Sequence, residues 1–232
     1  MVRYGVDPVL RTHSGVSVVA DDERAGSAVA SCYVLGEHAV VFADPAAVEL
    51  VSTFRPDGLP AEVLEDWQRF GAGVGAEVLG VGIVRTLVTE PVRVEGIAVV
   101  DRDDPRDVER LRVMLAGCSE DDVDEAEIDL DELDPIIRCS ETGPGGALTA
   151  YASAYSSDNL AGRWDIGTLT HPDHRRQGLG LRALQRLIWD LVAGGNEPVY
   201  RHNADNLASA ALAERGGYAI AARLAAIRLT AD

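Results

Sequence analysis

The sequence predicts an α/β or α+β protein, and three features carry that prediction. Alternating β-branched runs such as Val92–Val100 interleave with amphipathic stretches of helical period such as Gly178–Val192. About half of the 232 residues are apolar (47%) and a quarter are charged (25%), enough apolar material for a sizeable core. No apolar run approaches the roughly 20 residues that a membrane-spanning helix needs.

Residues 1–90 read as an α/β region without a chemical motif. Strands are expected at Ser27–Leu35 and Ala39–Ala43. Asp44-Pro45 opens a helical stretch, Pro45–Ser52, and Leu59-Pro60 opens another, Ala61–Phe70, with Leu64 and Trp67 as its packing pair. Strand-like runs follow at Glu77–Leu79 and Val81–Val88. Gly71–Gly75 is rich in glycine but has no adjacent arginine, which reads as a flexible turn.

From Pro91 onward the pattern sharpens. Val92–Val100 is expected to be a strand. Asp103, Asp104 and Pro105 form an acidic helix start with proline in the first turn, and Gly117 stops that helix. Glu120–Asp134 holds ten acidic residues in fifteen, interrupted by Val123, Ala126, Ile128, Leu130 and Leu133. That mixture predicts a short acidic helix or turn packed by its apolar residues, ended by Asp134-Pro135. Ile136–Cys139 and Ala147–Tyr155 read as strands joined by the hairpin loop Thr142–Gly146, and Ser156–Gly162 as a polar loop. Trp164–His171 is a further strand. Leu181, Leu184, Leu187, Ile188 and Leu191 give Gly178–Val192 its helical face, and Gly194-Gly195 stops it. Glu197–His202 is a strand, Asn206–Arg215 a helix, and Tyr218–Leu229 a strand or a hairpin turning near Ala221–Arg223.

The net charge is −17 and every basic residue is arginine. A field of this sign repels nucleic acid and draws cations, an amine among them, although solubility alone would also account for it. Cys32, Cys118 and Cys139 are far apart, which suggests neither a disulfide framework nor a structural zinc site. MVRYGVDPVL lacks the basic, then apolar, then small-residue order of a secretory signal, so the cytoplasm is the expected compartment and no membrane partner is expected.

One stretch carries chemistry: Thr170-His171-Pro172-Asp173-His174-Arg175-Arg176-Gln177-Gly178-Leu179-Gly180, between a strand and the long helix. Glycine at a helix start lets a phosphate approach the backbone. The first helical turn offers unpaired N–H groups and a positive dipole end. Arg175 and Arg176 add fork-shaped donors suited to pyrophosphate. The nucleotide P-loop is excluded because it needs lysine, and a Rossmann fingerprint is incomplete here. His171 and His174 would need a third ligand to hold a metal, so no metal is expected.

The spacing Pro-x-x-Arg-x-x-Gly-x-Gly resembles the acetyl-coenzyme A signature of the GNAT superfamily of N-acetyltransferases, Gln/Arg-x-x-Gly-x-Gly/Ala, read here as Arg175, Gly178 and Gly180. The flanking order agrees: a strand before the motif, a long helix after it, a strand, then a shorter helix opened by Asn206 and followed by Gly217-Tyr218. The resemblance covers roughly residues 92–232. It implies a GNAT fold, with a mixed, mostly antiparallel central sheet flanked by helices, in a domain spanning 91–232. Residues 1–90 would then complete one enlarged domain, form a degenerate acetyltransferase-like half, or mediate dimer contacts.

The resemblance also implies roles. Backbone groups near Leu169 and Thr170 would pair with the pantetheine arm, and an amide there would polarise the thioester carbonyl. The amides of Gln177, Gly178, Leu179 and Gly180, with Arg175 and Arg176, would hold the pyrophosphate, and Asn206 would touch the cofactor near its thiol. The expected reaction is direct attack of a primary amine, small or on an aminoacyl or protein acceptor, on acetyl-CoA. Asp165 is the first choice for general base and Glu141 the second. Many members carry a tyrosine seven residues after the asparagine as general acid; here that position is Ala213, which leaves Ser209 as a weak donor. Tyr151 and Tyr155 share one strand face and fit either the core or the acceptor cleft. Two competing readings are a catalytically inactive acyl-CoA-binding sensor of the same fold and a nicotinamide- or nucleotide-binding enzyme.

Overall fold

The computed structural model describes residues 11–13, 15–56, 62–142, 146–156 and 163–229. The chain divides into two compact units. The first comprises residues 1–85, 201–207 and 220–232, and the second residues 86–200 and 208–219. The first unit therefore takes in two C-terminal stretches that the sequence reading placed with residues 91–232.

In the first unit, β1 (Arg11–His13), β2 (Val16–Ala20), β3 (Val29–Leu35), β4 (His38–Ala43), β5 (Glu77–Leu87) and the C-terminal β11 (Tyr218–Arg228) follow the sheet order β1-β2-β4-β3-β11-β5. β2 and β4 are parallel, whereas β3 is antiparallel to both β4 and β11. β1 and β2 were not expected from the sequence. The predicted pair of strands at residues 77–88 is one strand that runs through Gly80 at φ +111°. The predicted hairpin near Ala221–Arg223 does not form: β11 is continuous, its register with β3 running from Arg223↔Val34 to Arg228↔Val29.

The stretch Pro45–Ser52 is a turn of 3-10 helix, Pro45–Ala47, followed by α1 (Val48–Val51). Asp44 fixes that start. Its carboxylate accepts the amides of Ala46 and Ala28, each at 3.0 Å, and these donors hold it below the usual carboxylate range. α2 (Val63–Gly73) presents Val63 and Trp67 to a core that includes Val41, Val51, Phe54 and Ile227. Trp67 stacks on Phe70 and meets Phe54 edge-on at 5.1 Å between ring centroids.

In the second unit the sheet order is β10-β9-β8-β7-β6, with β6 (Ala98–Val100), β7 (Ile136–Thr142), β8 (Ala147–Ser156), β9 (Trp164–Thr170) and β10 (Pro198–Asn203), whose last three residues fall in the first unit. The helices are α3 (Pro105–Leu115), α4 (Glu120–Glu125), α5 (Leu179–Ala193) and α6 (Leu207–Arg215). Strand alternation divides the core into two layers. Tyr151 and Leu169 pack with Leu111, Met114 and Ile137. Ala152, Ala154 and Ile166 pack with Leu184, Leu187, Tyr200 and Tyr218 on the opposite face.

The predicted strand Val92–Val100 is corrected to Ala98–Val100. Upstream, the carbonyls that a neighbouring strand would have satisfied go to arginines of α5 instead: Arg182 donates to Glu95 at 2.9 Å and Arg186 to Val94 at 3.4 Å. The acidic segment is held by its apolar residues, as expected: Ala126 and Leu133 are buried, and Val123, Ile128 and Leu130 pack against the same core.

Candidate functional site

Two helix starts in the second unit are closed by their own side chains. Asp104 accepts the Arg106 amide ahead of α3, and Ser119 accepts the Asp122 amide ahead of α4. α5 is different. Its N-cap is Gly178, which brings no side chain and lies in the left-handed region at φ +79°. A Cβ at Gly178 would meet nothing within 4 Å, so the space over the first turn is open. Leu179 and Gly180 begin a fifteen-residue helix whose leading amides and dipole face that space. Gly180 serves another purpose: a Cβ there would lie 2.5 Å from the Thr170 hydroxyl, so a larger residue would force that side chain or the helix start to shift at the end of β9.

The turn before α5 is tight. His171 caps a turn of 3-10 helix, Pro172–His174, by accepting the Asp173 amide, and Arg176 is left-handed at φ +63°. Left-handed geometry is unfavourable for a residue with a Cβ and marks a position fixed by its surroundings. Arg176 is exposed, and so are Gln177, whose amide donates to the Asp173 carbonyl at 3.3 Å, and Arg175. Arg175 donates to the Thr170 carbonyl at 3.2 Å and pairs with Asp122 of α4 at 2.9 Å. The loop thus presents two arginines, one of which also ties the acidic segment to it. His171 abuts Gly117, where a Cβ would come within 2.0 Å of its ring.

The edge of β9 is the second element of the site. β8 pairs with β9 along its whole length, from Ser156↔Trp164 to Ala150↔Thr170. On the other edge, the parallel register with β10 runs only from Pro198↔Trp164 to Tyr200↔Ile166. Among the described residues, Gly167–Thr170 have no partner in that ladder. Leu169 and Thr170 lie on this freed stretch, which leads straight into the loop and α5.

The structure sorts the other expected site residues. Asp165 is buried at 3% exposure, and its carboxylate accepts the Tyr155 hydroxyl at 3.3 Å. Arg163, two residues before Asp165, pairs with Glu197 at 3.0 Å. Glu141 lies on β7 opposite Leu148, beside a register shift, and its side chain falls outside the described residues. Ser209 is half-buried on α6. Asn206 belongs to the first unit, where its amide donates to the Asn203 carbonyl at 3.1 Å; the helix begins one residue later than expected, at Leu207. Ala213 is fully buried in the α5–α6 layer, so the position at which the family's tyrosine would fall points into the core. Tyr151 is core. Tyr155 instead reaches both Asp165 and, at 3.5 Å, Glu127.

Two participants escaped the sequence reading. Asp134, read only as the end of the acidic segment, accepts a short hydrogen bond from Ser153. Burial, followed by the nearby Asp165, pushes its carboxyl above the usual range despite that hydroxyl. Tyr200, read only as a strand residue, is 1% exposed and exchanges hydrogen bonds with both Thr168 and Ser209. A tyrosine that closes the buried half of its strand, just before Arg201-His202-Asn203, is the signal for Tyr200. An aspartate before proline gives no such signal.

No family sequence model matches the chain, and no curated protein matches it. Solved structures do. A GCN5-related N-acetyltransferase from Sphaerobacter thermophilus aligns over 94% of this chain and 74% of its own, with a TM-score of 0.52 at 12% identity. A GNAT-family acetyltransferase from Colwellia psychrerythraea aligns over 71% of this chain at 15% identity and a TM-score of 0.51, and the chain covers 62% of that protein. A Drosophila protein gives 0.52 over 95% of this chain and 73% of its own at 14% identity. The protein has the GNAT fold. The alignment over 94% extends that likeness beyond residues 92–232.

Proposed function

We propose that this protein is an N-acetyltransferase that moves an acetyl group from acetyl-CoA to a primary amine in a ternary complex. One observation carries the reading: the β9–β10 ladder stops at Tyr200↔Ile166, so a strand edge opens at Gly167 and runs directly into an uncapped, arginine-flanked helix start. An edge of free backbone groups accepts an extended amide-bearing arm as an added strand. The helix start accepts its diphosphate. The open space over Gly178 fits such a ligand, and the GNAT fold supports the same placement.

Bound there, acetyl-CoA supplies an activated acyl group. The chain's own contribution is positioning and proton management. Arg176 and the leading amides of α5 hold the phosphates, while Arg175 divides its donors between them and Asp122. The Gly167–Thr170 backbone fixes the arm and directs an amide at the developing oxyanion. Asp165 receives the proton from the acceptor amine, with Tyr155 orienting its carboxylate. Burial shifts the Asp134 carboxyl toward its neutral form, which eases the build-up of negative charge beside Asp165. The acidic segment provides a cation-attracting approach, and a hollow lined by Leu115, Cys118, Val123, Asp124, Ile128 and Leu130 lies along it.

Calorimetric titration with coenzyme A, followed by thiol release from acetyl-CoA across a panel of primary amines, tests this reading. The wild type is expected to bind and to release thiol with at least one amine. Asp165→Asn should bind equally well and turn over about a hundredfold more slowly. Binding without thiol release for any amine would point instead to an acyl-CoA sensor.

A further inference from the structure

The site has a proton acceptor but, at Ala213, none of the hydroxyl expected to protonate the leaving thiolate. The structure contains a different set of hydroxyls at the fork where β9 and β10 part. Tyr200 is the last β10 residue in the ladder. Its phenol lies 2.8 Å from the Thr168 hydroxyl, on the freed stretch of β9, and 2.9 Å from the Ser209 hydroxyl, in the first half of α6. Thr168 and Ser209 are half-buried and Tyr200 is buried between them, so the three form a line with two solvent-reachable ends.

A second observation marks the same place. The Tyr218 ring packs against Tyr200 at 5.7 Å between centroids, and its buried hydroxyl has no hydrogen-bond partner among the described residues. Burial, then the neighbouring Tyr200 and Asp165, pushes the Tyr218 hydroxyl upward, so it stays protonated. An orphaned buried hydroxyl has a cost and calls for an explanation, such as a ligand or a water that completes it.

Position supplies the link to the reaction. With the phosphates at the start of α5, the arm runs back along β9 from Thr170 toward Gly167, and the fork at Ile166 and Tyr200 stops it. The sulfur end therefore arrives beside the hydroxyl line. We propose that Ser209, backed by Tyr200 and Thr168, protonates the departing thiolate, in place of the tyrosine for which position 213 has no room. This rests on the acetyltransferase reading above. As the carbon–sulfur bond breaks, its electron pair stays on sulfur, which takes the Ser209 proton. Tyr200 re-protonates Ser209, Thr168 re-protonates Tyr200, and water restores Thr168. The proton given up by the amine at Asp165 returns to solvent, so the cycle is balanced. Ser209 is the residue that touches sulfur; Tyr200 and Thr168 position and refill it.

The test needs no knowledge of the acceptor. Free coenzyme A bound to the protein is titrated and its thiolate followed by ultraviolet absorbance. A hydroxyl donating to the thiolate lowers the bound thiol's pKa by about one unit. Ser209→Ala should lose that shift, Ser209→Thr should keep it, and Tyr200→Phe should lose part of it, all with unchanged coenzyme A affinity. With any amine that turns over, Ser209→Ala and Tyr200→Phe should lower kcat roughly tenfold or more and leave KM for acetyl-CoA unchanged. If both variants bind coenzyme A and titrate like the wild type, the proton line is wrong while the coenzyme A site on which the acetyltransferase reading depends stands. If the wild type does not bind coenzyme A, the acetyltransferase reading itself fails and takes the proton line with it.

Discussion

Glycine does opposite work in the two compact units. In the first unit the run Gly71–Gly75 lies at the C-terminal end of α2, and there it closes a core. A Cβ at Gly71 would come within 2.6 Å of Ile227 Cγ2, and Gly75, at φ +74°, turns the chain out of the helix. In the second unit Gly178 and Gly180 lie at the N-terminal end of α5, and there one of them keeps a surface open. The composition is similar, but the helix ends have opposite polarity: carbonyls at one, N–H groups at the other. Glycine at a helix C-terminus is a stop. Glycine at an N-terminus, with arginine before it, leaves N–H groups and positive charge that an anion can use.

Exchanging the two kinds of damage is the strongest way to break that comparison. Gly178→Asp puts a carboxylate where the phosphates should lie, in space that accommodates the side chain, and aspartate tolerates left-handed backbone better than most residues. Coenzyme A affinity should fall by about a hundredfold or more with little change in melting temperature. Gly71→Ala should do the reverse. Overpacking against the fully buried Ile227 costs about 1–3 kcal/mol, while the helix gains up to about 1 kcal/mol from losing a glycine. The expected net is a loss of roughly 1 kcal/mol in urea unfolding with coenzyme A binding intact. A Gly71→Ala protein that folds normally yet no longer binds would show that the two glycine sites are not distinct in function.

This contrast also explains what was legible in the sequence. Arg175, Gly178 and Gly180 announce themselves because the proposed anion site is made of backbone, and only particular residues permit that backbone. The termination of the β9–β10 ladder at Tyr200 is invisible in the sequence, since Ile166–Thr170 and Tyr200–His202 read as strand on both sides of the break. Val92–Ile97 misled because β-branched residues score as strand even when Arg182 and Arg186 satisfy their carbonyls. In the first unit, β1 and β2 carry too short a pattern to stand out, and the continuity of β11 depends on pairing with β3 across nearly two hundred residues. Asp134 was hidden because its role depends on Ser153 and Asp165, which only the fold brings near it.

Asp134 offers a finer test. Its carboxyl is raised in the folded protein, so folding favours the protonated form. That preference stabilises the protein fully below the ordinary aspartate value of about 3.9 and is lost as pH rises through the higher folded value. Asp134→Asn keeps an acceptor for Ser153 and removes the charge. Melting temperature followed against pH should show the variant level with the wild type in acid and more stable by a few degrees near neutrality. If the wild type is instead the more stable at neutral pH, Asp134 is a favourably paired carboxylate, and it does not limit charge beside Asp165.

The smallest effect concerns the arginine whose donors are already committed. Arg175 is 45% exposed and Asp122 32%, so their ion pair is worth at most about 1 kcal/mol in water. Asp122 nevertheless places a negative charge beside a loop read as a phosphate seat, and it occupies part of a guanidinium that the phosphates would use. Asp122→Asn keeps an acceptor for the Ser119 hydroxyl, which lies 2.6 Å from the carboxylate, so α4 should remain capped. Coenzyme A should then bind about two- to threefold more tightly at low salt, with the gain fading as ionic strength rises. Glu77→Gln, which removes the carboxylate from the exposed Glu77–Arg228 pair of the first unit, should leave the affinity unchanged. A loss of affinity in Asp122→Asn would mean that Arg175 depends on Asp122 for its aim, and that the acidic segment belongs to the phosphate site as well as to the approach of the amine.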